Sequence, residues 1–281
     1  METNEHAKHT PKTRTQFHSI LAHLSKQGAD REEWAVLVLG GTKDDVDTLQ
    51  KLGFKNISLT NLASAMDPAP AKNTNGIRHL AVDAEDMGLP DNSYDLVFAH
   101  EVLHHCRSPH RAVCEMLRVS RRHIIFLEPN DSAFMRALVR MGFSFPYEIT
   151  AVVAHGCTSA GLRDSAVPNY VYRWNENEVF KTVSSFMAEH KFTVRAYPYW
   201  DFNVDERGLK RRKHTKLHLL TSTIGARNFL ALLRLSQGVL NRLPLMRKQG
   251  NKFFCQVEKG SQLKPWLVFD RSEIVFNRDY S

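Results

Sequence analysis

Residues 83–129 read DAEDMGLPDNSYDLVFAHEVLHHCRSPHRAVCEMLRVSRRHIIFLEP, and the alternation inside this stretch decides the fold. LPDNS (89–93) is a cluster of turn formers, and YDLVFA (94–99) after it is a short apolar run of the kind that builds a buried strand. From Pro109 to Val119 the apolar residues Ala112, Val113, Met116 and Leu117 recur at helical spacing. RHIIFLEP (122–129) is a second strand, stopped by a proline that cannot continue the hydrogen-bond ladder. Strand, helix, strand in this order implies a parallel sheet with the helix laid across it.

The same rhythm extends in both directions. WAVLVLGG (34–41) predicts a buried strand ended by two glycines, and KDDVDTLQKLGF (43–54) a helix closed by Gly53. NISLTNL (56–62) and IRHLAVDA (77–84) predict two more strands, separated by the Pro- and Asn-rich DPAPAKNTNG. Asn175 with Glu178 makes a capping-box-like start for a helix over ENEVFKTVSSFMAEH (176–190), and KFTVRAYPYW (191–200) and NKFFCQVEK (251–259) supply the last two strands. The sum is an α/β, doubly wound, seven-stranded Rossmann-like sheet with helical insertions. Residues 1–30 are expected to be a helical lead-in, with Phe17, Ile20, Leu21 and Leu24 on one face; 31–205 and 251–281 form the main domain, and 206–250 a basic helical insertion.

Composition narrows the function classes. The polar first fourteen residues and the lack of a long apolar run point to a cytoplasmic protein. Four cysteines without CxxC spacing argue against a disulfide framework or a structural zinc site. The net charge is +8, yet Glu206 to Lys252 holds twelve Lys or Arg against one acidic residue, an excess of eleven that leaves about −3 for the remainder. Basicity therefore belongs to one segment.

Residues 83–129 resemble the second half of the cofactor domain of type-11 class I methyltransferases, where DAExLPxxDxSFDLVxxxxVLHHxxxPxxxxxExxRV is typical. The chain is further similar to a bacterial subset with a shortened GG loop, an NL after the second strand and a later YRW element. The resemblance implies S-adenosylmethionine as cofactor. It places Asp83 with the backbone of Ala84 and Glu85 at the adenine, Gly40 and Gly41 in the first-strand loop, and His100 and Glu101 beside the methionine and sulfonium. Asn61 stands where the family usually has an acidic residue on the ribose hydroxyls. His104 and His105, at the start of the helix after the fourth strand, are the candidate general bases.

His104, His105, Cys106 and His110 invite a metal reading, but successive residues on a helix face different ways, so no metal site is expected. Tyr170, Tyr172, Arg173 and Trp174 together suggest a platform for a sugar or phosphate, since rings stack on apolar sugar faces and a guanidinium grips anions. The expected activity is O-methylation of a glycan or other small polar acceptor; the rivals are a non-catalytic scaffold with a degenerate fold and an RNA methyltransferase. In IGARNFLALLRLSQGVLNRL (224–243), Arg227, Arg234 and Asn241 form one stripe, and Phe229, Leu232, Leu233, Val239, Leu240 and Leu243 an apolar face. Packing on the domain as a cap over the acceptor side, or peripheral contact of 206–252 with an anionic membrane surface, would both use that pattern; nucleic acid is not expected, because the segment is leucine-rich and poor in aromatics.

Overall fold

The computed structural model describes residues 32–62, 73–74, 76–202, 209 and 216–280. The expected N-terminal helix at 15–27, most of the DPAPAKNTNG connection and the basic run 210–214 lie outside the described residues. Seven strands form the main sheet: β1 (Ala35–Leu39), β2 (Asn56–Asn61), β3 (Ile77–Ala81), β4 (Tyr94–His100), β5 (Ser120–Pro129), β6 (His190–Tyr199) and β7 (Lys252–Leu263). Their spatial order is β3-β2-β1-β4-β5-β7-β6, with a two-residue piece, Asn73–Thr74, paired outside β3. β1 through β5 run parallel to one another, whereas β7 is antiparallel to both β5 and β6. This is the seven-stranded Rossmann-like sheet that the strand pattern predicts. A separate hairpin of β8 (Leu267–Asp270) and β9 (Glu273–Phe276), absent from the sequence reading, closes the chain.

Side chains of a strand alternate between faces, so each parallel strand feeds two cores. On one face Leu37, Leu39, Val97, Ala99, Ile124 and Phe126 pack with α2 (Pro109–Val119) and α5 (Glu176–Phe186). On the other, Val36, Val38, Leu96, Phe98, Ile125 and Leu127 pack with α1 (Lys43–Lys51). α3 (Ala133–Arg140) and α4 (Ile149–Ala154) lie between β5 and α5, and α6 (Leu217–Ile224), α7 (Ala226–Arg242) and α8 (Pro244–Lys248) between β6 and β7.

Helix starts are specified locally. Asp45 in the first turn of α1 accepts from the Thr42 backbone N–H and hydroxyl, both at 2.8 Å. Asn175 Oδ1 accepts from Glu178 N at 3.1 Å, opening α5 as expected, but the Glu178 carboxylate turns to Tyr172 and His110 and does not complete a capping box. α5 ends at Phe186, short of the predicted His190, because β6 begins there.

The helix expected over 224–243 is α7, Ala226–Arg242, set off from α6 by Gly225 (φ 81°, ψ 137°), a conformation that glycine adopts without strain. Its apolar face is also disposed differently from a packed cap. Phe229 and Leu230 are buried, with Leu209 beside them, while Leu232, Leu235, Val239 and Leu243 are exposed. The polar side docks: Asn241 accepts from Trp200 N and donates to Trp200 O, and Gln237 accepts from Phe202 N. Asn241 is thus no member of a free basic stripe. No described helix is long and apolar enough to cross a membrane.

Candidate functional site

β1 neighbours β2 on one side and β4 on the other, so the loops leaving β1 and β4 diverge and open a crevice at the carboxyl ends of the strands. Two cavities fill it. The smaller, about 260 Å³, lies over Gly40, Asn61, Asp83, Ala84 and Val102. The larger, about 590 Å³, is walled by His100, His104, Tyr147, Glu148, Arg173 and Lys252. Glu101, His105 and Ala160 line both, so the cavities adjoin at the end of β4.

In the smaller cavity the glycine loop is dictated by packing. Gly40 has φ +55°, and a Cβ there would lie 2.3 Å from Val102 Cγ2; one on Gly41 would lie 2.3 Å from Val38 Cγ1. Close approach of the β1 and β4 loops therefore requires Gly40, and packing on Val38 and Leu59 requires Gly41. Gly40 lines the cavity, whereas Gly41 is buried against β1 and β2.

Asp83 Oδ1 accepts from Glu85 N at 3.0 Å and Oδ2 from Arg163 Nη2 at 2.7 Å. Burial works against its charge, but that N–H and the guanidinium hold its carboxyl below the usual range. Glu85, assigned by resemblance to the adenine, has its side chain committed elsewhere. It accepts from Arg107 N (3.0 Å) and Ser108 N (2.7 Å) at the entrance of α2, besides Arg163 Nη1 (3.1 Å). A carboxylate at a helix amino end meets unpaired N–H groups and the positive end of the helix dipole. Glu85 can thus offer a ligand its backbone only.

In the larger cavity, His100 at the end of β4 pairs through Nδ1 with Asp45 Oδ1 at 2.7 Å, tying that strand to α1. His100 lies on this side only, and Glu101 (φ 54°) pairs with Lys252 of β7. Burial holds the Lys252 ammonium down to about 8.

After Glu101 the chain makes a 3₁₀ turn, Leu103–His105, over a buried carboxylate. Glu128, 0% exposed at the end of β5, accepts from Val102 N (3.0 Å), Leu103 N (2.8 Å) and His104 Nδ1 (2.5 Å). His104 Nε2 in turn lies 3.2 Å from Glu148 Oε2. Burial opposes a charge on this imidazole, yet the two carboxylates outweigh it and raise its pKa to about 10. His104 is therefore an imidazolium at neutral pH with both nitrogens engaged, and the expectation that it serves as a base does not survive.

His105 differs. Its Nδ1–H donates to Gly161 O at 3.1 Å, leaving the Nε2 lone pair 3.6 Å from Glu148. Burial and the neighbouring His104 charge lower its pKa, so it is the neutral ring of the pair. Asn169 completes the cluster, donating to His104 O (3.0 Å) and to Glu148 Oε2 (3.2 Å). The Glu148 carboxyl is lowered by His104 and His105 in spite of its burial.

The expected aromatic platform is dispersed. Trp174 is a fully buried core residue beside Phe126, and Tyr172 donates to Glu178 at the start of α5. Tyr170 is exposed, edge-on to Tyr147. Only Arg173 lines the larger cavity, fixed by Val171 O and Phe145 O. Alternation along an extended segment sends successive side chains to opposite faces, which the YRW reading overlooked.

The sequence reading also missed Glu128, Glu148, Arg163 and Lys252. Glu128 had a signal: an acidic residue closing an otherwise apolar strand is buried and needs donors. Glu148, Arg163 and Lys252 had none, since each reaches the crevice from a different part of the chain. The argument against paired histidines fails as well. In the 3₁₀ turn the rings of His104 and His105 lie 4.5 Å apart, and both Nε2 atoms face one carboxylate.

With this geometry, residues 40–127 match the family model described as a methyltransferase domain. The match runs from the glycine loop after β1 to the end of β5, about a third of the chain. Among solved structures similar to this chain is the YcgJ protein of Bacillus subtilis, at 15% identity over 87% of this chain and 100% of that one, TM-score 0.47. Another is an S-adenosylmethionine-dependent methyltransferase from Mesorhizobium loti, at 13% identity over 84% and 96%, TM-score 0.45. A third is the magnesium protoporphyrin IX methyltransferase of Synechocystis with bound S-adenosylhomocysteine, at 11% identity over 88% and 84%, TM-score 0.45. No curated protein matches the chain by sequence.

Proposed function

We propose that the smaller cavity takes S-adenosylmethionine and that the methyl group passes across the Glu101–His105 junction to a polar acceptor in the larger cavity. The observation that carries this reading is the pair of adjoining cavities sharing Glu101 and His105. Leu39, Leu62, Val82, Ala84 and Val102 give the smaller one an apolar floor for a purine, and the ionised Asp83 gives it an acceptor for an exocyclic amine. Asn61 at the end of β2 offers an amide to ribose hydroxyls, without the charge assistance of a carboxylate. Arg163 now occupies Asp83 Oδ2 and shares that carboxylate when the purine arrives.

S-adenosylmethionine supplies an electrophilic methyl group on its sulfonium. The chain aligns the acceptor and excludes water; its charged wall of Glu148, Arg173 and Lys252 favours a polar acceptor such as a glycan or small metabolite hydroxyl. A hydroxyl proton is removed at His105 Nε2, the one imidazole lone pair of the cluster turned to this wall, while His104 holds Glu148 in place. Calorimetric titration with S-adenosylhomocysteine tests the assignment. Micromolar, one-to-one binding is expected; no heat at millimolar ligand would favour a scaffold with a degenerate site.

The location is the cytoplasm, with peripheral contact to an anionic membrane surface through α7 and α8. Leu235 and Leu245, 76% and 75% exposed, stand near Arg234, Arg242 and Arg247 in the sequence, an apolar and basic combination suited to a lipid interface.

A further inference from the structure

The cluster at the wall of the larger cavity has the form of a metal site. We propose that His104 Nε2, His105 Nε2 and a Glu148 oxygen bind one divalent transition-metal ion, with Zn²⁺ as the reference ion, and that His104 releases to solvent the Nε2 proton it holds in the metal-free cluster. The proposal rests on reading the larger cavity as the acceptor side, and it changes His105 from a free base into a ligand.

Three features carry it. The three donor atoms lie within 4.8 Å of one another, with Glu148 Oε2 at 3.2 Å from His104 Nε2 and 3.6 Å from His105 Nε2. Tetrahedral ligands at zinc bond lengths stand about 3.3 Å apart, so two of the three edges already match and a small inward turn of His105 closes the third. Each imidazole also has its other nitrogen fixed by an acceptor: His104 Nδ1–H on the Glu128 carboxylate and His105 Nδ1–H on Gly161 O. That arrangement orients a metal-bound histidine, with the carboxylate partner raising the basicity of the donor nitrogen. Finally, the remaining direction from this donor set is the larger cavity, which His104, His105 and Glu148 all line. Two imidazoles and one carboxylate with an open position make a reactive rather than a sealed site, and nitrogen donors prefer Zn²⁺ to Mg²⁺ or Ca²⁺.

The acceptor side would thus hold a Lewis acid within reach of an acceptor oxygen. Acceptors able to coordinate, such as hydroxyls flanked by a second oxygen donor, are the class this site selects.

Equilibrium dialysis of the full chain, stripped with chelator and titrated with Zn²⁺, reads the proposal directly, and Co²⁺ reports ligand geometry through its visible absorption. One ion per chain is expected, displaced by chelator and indifferent to excess Mg²⁺. His105→Ala and Glu148→Gln should each weaken binding at least tenfold, whereas His110→Ala, outside the cluster, should leave it unchanged. If Glu148→Gln does not fold, His105→Ala carries the test, because that ring is partly exposed and donates a single hydrogen bond. Absence of stoichiometric Zn²⁺ binding, or binding that survives both substitutions, overturns the metal site. S-adenosylhomocysteine titration of the same stripped protein is independent of this result, so loss of the metal proposal leaves the methyltransferase reading standing, with His105 as a free base.

Discussion

The smaller and larger cavities share a wall but are assembled in opposite ways. The smaller is made mostly from strand ends and the loops that leave them, between Leu39 and Cys106, with only the Ala160–Asp164 loop arriving from outside. The larger gathers side chains from Asp44 on α1 to Lys252 on β7, with α4 and the segment before α5 between them. The first inherits its shape from sheet topology, so its chemistry follows from position along a strand. The second depends on where inserted segments settle, and it is there that charge accumulates. One side of the crevice follows from the sheet and the other from the segments inserted into it.

Glu128 joins the two and offers the sharpest way to break the comparison. It holds the turn that carries His105, and removing its carboxylate strands two buried N–H groups and a buried imidazolium. Glu128→Ala is expected to destabilise the fold by about 3 to 5 kcal/mol, the cost of breaking one side of a buried pair. A urea midpoint shifted by less than a third of that would mean that the turn is held from elsewhere.

Asp83 lies wholly on the smaller side. Asp83→Ala should weaken S-adenosylhomocysteine binding by about 1 to 3 kcal/mol with little change in Zn²⁺ affinity. An unchanged dissociation constant in a folded variant would remove Asp83 from the purine site, while loss of both ligands would mean that the cavities do not act separately.

Arg163 reaches the smaller cavity from the loop that also lends Gly161 to His105. Because it competes for Asp83 on a partly exposed surface, Arg163→Ala should tighten S-adenosylhomocysteine by no more than about 1 kcal/mol. Weaker binding would show instead that the guanidinium belongs to the completed site.

The smallest effect is expected at the outer surface of α7 and α8. Replacing Leu235 and Leu245 by Ser should change stability by about 0.5 kcal/mol or less, since both are exposed, yet reduce co-sedimentation with anionic vesicles at low salt. Equal sedimentation of both proteins would detach that face from any lipid role and limit the chain's specificity to the larger cavity.

Much of the fold was legible because its signals are local. Alternating apolar runs, turn clusters and Pro129 mark β1 through β7, and Asn175 and Pro109 mark the starts of α5 and α2, since strand burial and helix capping are decided within a few residues of chain. The two glycines after β1 were legible as a requirement, which the packing of Val102 and Val38 imposes. Tertiary structure alone decided which charges meet. Glu148 reaches His104 and His105 across more than forty positions, Arg163 reaches Asp83 across eighty, and Lys252 reaches Glu101 from the last strand of the main sheet in chain order. Electrostatic coupling falls with distance in space and is blind to distance in sequence, so no spacing rule could foretell a neutral His105 beside a charged His104. The same reasoning separates the residues of the YRW element: its composition advertised a platform, but the backbone sends Trp174 into the core and Arg173 into the cavity, and only the packed chain determines which face each residue meets.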